Sequence, residues 1–173
     1  MTAGQLPLTA HTVPDGIIAW RPDGPVTVAQ FLTDVTHLAD RMPAGGSVLN
    51  VCQDRYRFMV GLAAGLVAGK VSLLPSSHTP EAVRQLKDYA GDVFCLHDGN
   101  GDDIDLPRVA FPAASPAIGN VVMPEIDSDR VAAVLLTSGS TGAPVPHAKT
   151  WGSLIKNGRA EAERLGLIAS GHV

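Results

Sequence analysis

This chain of 173 residues is poor in cysteine, in aromatics and in charge. Its two cysteines, Cys52 and Cys95, stand far apart, and neither belongs to a CxxC pair. Each lies in an apolar stretch, so both read as buried free thiols, as expected of a protein of the reducing cytoplasm. The net charge is -4 and no basic stripe appears, so nucleic acid is not an expected partner. Residues 1–13 hold no positive cluster followed by an apolar run, and no secretory signal is read there. The longest apolar stretch, residues 58–69, lies between Arg57 and Lys70. A bilayer span needs about 20 residues, so this stretch reads as a buried helix and no membrane span is expected.

What is present suggests a globular protein with many loops. Hydrophobic residues make up 45%, and there are 18 glycines and 13 prolines. A chain of this length buries roughly 70% of its unfolded surface when it closes around one core. Short strands are predicted at 17–20, 47–52, 71–74, 92–96, 109–111 and 131–137. Helices are predicted at 28–42, 54–69, 79–89 and about 150–165. Thr27 reads as an N-cap, and the apolar residues Val28, Phe31, Leu32, Val35, Leu38, Ala39 and Met42 follow the helical period. Thr79 followed by Pro80 marks another start, because the first helical residue needs no N–H. Strands alternate with helices at least three times. That order predicts an α/β fold, a mostly parallel sheet with helices on both faces. Residues 1–173 read as one unit, with 112–128 as either an internal boundary or a long surface loop.

Several short patterns fail as chemical motifs. Asp98, Asn100 and Asp102 begin like a calcium loop, but its sixth position is Asp103 and its twelfth is Val109, where Gly and Glu are needed. Gly99 and Gly101 open a dinucleotide pattern that Ile104 breaks. Around Ser140 a nucleophile elbow would need Gly where Ser138 stands. Ala143 and Pro144 follow Gly142, which excludes a Walker loop. The six histidines show no metal-ligand spacing, and no metal site is read.

One pattern survives. Thr137-Ser138-Gly139-Ser140-Thr141-Gly142-Ala143-Pro144 directly follows the apolar strand. Phosphate binding needs converging backbone N–H groups and side chains small enough to let the anion approach. Gly139 and Gly142 permit both, and four hydroxyls can donate to phosphate oxygens. Pro144 and Pro146 disfavour a helix here, so the turn and its hydroxyls, rather than a helix dipole, would hold the anion. The same residues also suit an ordinary polar hairpin turn between two strands.

At these residues the chain resembles the adenylate-forming superfamily, of acyl-CoA synthetase or acyl-AMP ligase type. That family's phosphate loop reads Ser/Thr-Ser-Gly-Ser/Thr-Thr-Gly-x-Pro-Lys, and the match holds through Pro144. Gly46 to Asn50, then Ala68-Gly69-Lys70-Val71 with Pro75, Thr79-Pro80-Glu81, and Arg164-Leu165-Gly166-Leu167 resemble further family stretches in the same order. The resemblance implies the amino-terminal part of an AMP-binding fold whose parent enzyme activates a carboxylic acid with ATP and Mg2+. The acceptor would be coenzyme A, a carrier protein or none, with fatty-acid metabolism as one setting. It assigns the phosphate contacts to Thr137, Ser138, Gly139, Ser140, Thr141 and Gly142, and no catalytic residue to this chain. The family's lysine after Pro144 is Val145 here. Lys149 is either its substitute or a solvated lysine before a helix cap. The acyl pocket, most magnesium ligands and the adenylation lysine have no counterpart, so the chain is expected to be inactive alone. It would be a fragment, a truncated gene product or one half of a split enzyme. The alternative is a non-catalytic binding or interaction module that keeps the fold.

Overall fold

The computed structural model describes residues 4–99, 103–114, 117–119, 121–138 and 144–167, with residues 138 and 144 described by backbone alone. Along the chain, β1 (Gln5–Pro7), β2 (Ile17–Arg21) and β3 (Gly24–Thr27) precede α1 (Val28–Ala39). Next come β4 (Ser47–Asn50), α2 (Arg55–Val67), β5 (Val71–Pro75), α3 (Pro80–Tyr89) and β6 (Val93–His97) in alternation. Then β7 (Arg108–Ala110), β8 (Glu125–Asp127), β9 (Val131–Ser138) and β10 (Pro144–Thr150) lead into α4 (Trp151–Arg164).

Six strands form one sheet in the order β10-β9-β5-β4-β6-β7. Five of them run parallel, and β10 joins β9 antiparallel at one edge. The strand interior alternates, as a sheet covered on both sides requires. Val48, Phe94 and Leu96 pack with α1 and α2, whose Val35, Leu38, Val60 and Ala64 complete that core. Leu49, Val93 and Cys95 face the other way, with Leu73, Val134, Leu136 and the α3 residues Val83 and Leu86. The expected mostly parallel α/β sheet with helices on both faces is therefore the fold observed.

The helix boundaries follow from local chemistry. Thr27, Thr79 and Thr150 cap α1, α3 and α4, each hydroxyl accepting from the backbone N–H three residues on. Asp54 caps α2 through Arg57 N at 2.8 Å. α2 ends on Gly69 at φ 74°, with Gly69 N donating to Leu66 O and Lys70 N to Gly65 O. α4 ends the same way, with Gly166 at φ 70° and Leu167 N donating to Ala162 O. This two-bond stop needs a left-handed residue, which glycine adopts without strain.

α1 is shorter than its apolar period suggests. The amides of Arg41 and Met42 bond three residues back, to Leu38 O and Ala39 O, which tightens the chain out of the helix. Met42 still packs on the core, so the period outlasts the helix. The stretch 112–128, expected to be irregular, contains β8, which pairs with β1. Val121, Met123 and Ile126 pack on the α1/α2 core. β10 was not among the predicted strands, although the hairpin alternative implied one after the turn, and its prolines would break an interior strand. It survives because it is an edge strand, where a proline nitrogen can face away from the sheet.

Candidate functional site

The described ends of the surviving motif are Thr137 and Ser138, which close β9, and Pro144, which opens β10. The register is Pro144↔Ser138, Val145↔Thr137, Pro146↔Leu136, His147↔Leu135, Ala148↔Val134 and Lys149↔Ala133. Facing residues in an antiparallel ladder alternate between pairs that exchange two hydrogen bonds and pairs that exchange none. Proline has no N–H to exchange. Pro144 and Pro146 therefore take the non-bonded pairs, and Val145 takes a bonded one with Thr137. The Thr137 main chain is thus engaged in the ladder, which leaves its hydroxyl, on an exposed side chain, as the group able to meet a ligand.

Ser138 closes β9, and its backbone pairs with Pro144. Gly139, Ser140, Thr141 and Gly142 lie outside the described residues, as does Ala143. The carboxyl end of β9 lies beside the end of β5, where Pro75 pairs with Leu136. The hairpin alternative expected strands on both sides of the motif, and the phosphate reading expected only the strand before it; β9 and β10 flank it on both sides. The connection of residues 139–143 is longer than the two-residue link that closes a tight hairpin.

Lys149 is not brought to this turn. It faces Ala133, five positions along β9 from Ser138, or about 17 Å at about 3.4 Å per residue. Val145 stands next to the turn instead, across from Thr137 and 44% exposed. The position that carries lysine in the resembled family is thus beside the loop and apolar here.

A parallel sheet offers a second place to look, the crevice at the carboxyl ends of strands where their order reverses. Here it lies between β4 and β6. The chain fills it with its own anion. The Asp98 carboxylate accepts from Gln53 N at 3.1 Å and from Asp54 N at 3.0 Å, and Asp54 in turn caps α2. The free thiols Cys52 and Cys95 are both buried nearby. Burial is the main cause that pushes Cys52 up to about 12 and Cys95 to about 11, and for Cys52 the Asp98 charge adds to it. Neither is a nucleophile at neutral pH. Asp34, buried in α1, accepts from Tyr56 Oη at 2.6 Å and from Gln30 Nε2 at 2.9 Å. Burial, then this bond to Asp34, keeps the Tyr56 phenol protonated well beyond its ordinary range. These groups tie α1 to α2 and present nothing to a substrate. Among the described residues no group of three or more His, Cys, Asp or Glu side chains is placed to hold a metal ion. Nor is any helix among them long and apolar enough to cross a membrane.

This fold, a five-stranded parallel sheet extended at one edge by the antiparallel strand β10, is shared with solved structures. No family model matches the sequence, and no curated protein matches it. Solved structures do match. O-succinylbenzoate coenzyme A synthetase (MenE) from Bacillus subtilis, in complex with AMP, is 19% identical with a TM-score of 0.68, covering 94% of this chain and 47% of that one. ATP-bound MatB from Rhodopseudomonas palustris is 16% identical with a TM-score of 0.68, covering 90% and 36%. The Klebsiella oxytoca NpsA N-terminal subdomain, in complex with 3-hydroxybenzoyl-AMSN, is 19% identical with a TM-score of 0.56, covering 79% and 37%. MenE is also known with ATP and a magnesium ion and with its acyl-adenylate intermediate. At these identities the likeness is one of fold. The chain spans less than half the length of each of these proteins.

Proposed function

We propose that this chain carries the phosphate-binding loop of an enzyme that activates a carboxylic acid with ATP. In that reaction a carboxylate oxygen attacks the α-phosphorus of ATP, and pyrophosphate leaves as the acyl-adenylate forms. The observation that supports this most is a coincidence of sequence and place. The residues from Thr137 to Pro144 spell the family's loop, and the strands on either side of it, β9 and β10, pair in a fold shared with enzymes of that family.

The amides of Gly139 and Gly142 and the hydroxyls of Ser138, Ser140 and Thr141 would clamp the β- and γ-phosphates, with Thr137 adding its hydroxyl alone. A bond to a charged phosphate contributes about 1.5–3 kcal/mol. Such a clamp works by positioning and charge stabilisation and needs no acid or base of its own. Lys149, at its distance along β10, takes no part in this clamp. Magnesium would arrive on the nucleotide, and no described side chain is assigned to it. The acid is proposed as a class. One neighbour is named for o-succinylbenzoate and another is bound to a 3-hydroxybenzoyl compound, which lends no support to fatty acids in particular. Coenzyme A or a carrier protein would be the acceptor in the parent reaction. The buried free thiols suit the cytoplasm.

By itself the 173-residue chain is proposed to bind nucleotide weakly and to turn nothing over. ATP–pyrophosphate exchange with a panel of carboxylic acids tests this, with no exchange expected. Robust exchange by the pure chain would overturn the claim of inactivity. Val145 favours a second reading, a non-catalytic module that keeps the fold without its charge. Absence of any millimolar ATP or pyrophosphate binding would favour that module.

A further inference from the structure

We draw no further inference here: the strongest candidate, the half-open apolar cavity of about 180 Å³ walled by α1, α2 and α4, carries nothing, because nothing in the structure shows what occupies it.

Discussion

Gly61 and Gly158 are both helical glycines, yet replacing them with alanine should have opposite effects. Helix propensity alone favours alanine by about 1 kcal/mol at each position. Gly158 lies within α4, and a Cβ built there meets nothing within 4 Å. Gly158→Ala should therefore collect that gain. Gly61 lies within α2 where the helix rests on the sheet, and its Cβ would stand 2.4 Å from Asn50 Nδ2 and 2.6 Å from Leu96 Cδ2. Leu96 is fully buried and cannot swing aside. Asn50 is held at both ends of its amide, donating to Phe58 O at 3.0 Å and accepting from Cys52 N at 3.1 Å. Overpacking of this kind costs about 1–3 kcal/mol, and a lost buried hydrogen bond costs about 1–3 kcal/mol more. The propensity gain is smaller, so Gly61→Ala should lose about 1–5 kcal/mol net. At about 2–4 °C per kcal/mol for a chain of this size, calorimetry should find a lower melting temperature for Gly61→Ala and a slightly higher one for Gly158→Ala. A Gly61→Ala protein as stable as the wild type would refute the close helix–sheet contact.

Tyr56→Phe removes the donor at 2.6 Å from the buried Asp34 carboxylate, and denaturant titration should show a loss of about 1.5–3 kcal/mol. Cys52 and Cys95, raised from an ordinary 9.0 to about 12 and about 11 by burial, stay neutral in the folded state at pH values where the unfolded chain ionises. The unfolded state then holds fewer protons, so stability should fall as pH rises above about 9; both thiols should resist a thiol reagent at pH 8 until the chain is unfolded. Val145→Lys places a cation across from Thr137 beside the turn and should tighten ATP binding about 3- to 10-fold by titration calorimetry. Lys149→Ala should leave that affinity within about 2-fold, and a large loss would contradict its placement opposite Ala133.

The elements read correctly from sequence are those with a strong local signal. α3 begins at Pro80 and ends at Tyr89 as its cap and period indicate, and Thr27 caps α1. The buried strands β4, β6 and β9 show as apolar runs between turns. What sequence could not show was set by partners distant in the chain. β1 and β8 are three-residue strands, too short for any period, and they exist because each supplies the other's hydrogen bonds. β10 hides behind two prolines that only an edge position tolerates. The same register decides part of the candidate site. It draws the Thr137 main chain into the ladder, sets Val145 beside the turn and carries Lys149 to the far end.

The most direct measurement is a titration of the isotope-labelled chain with MgATP and, separately, with pyrophosphate, followed at each backbone amide. Saturable shifts at millimolar ligand should be largest from Ser138 to Gly142 and should vanish in Gly139→Val, whose fold is checked by its unchanged α2 and β4 resonances. Silence at those amides, or larger shifts at Gln53 and Asp54 where Asp98 now sits, would contradict a polyphosphate cradle at the hairpin tip.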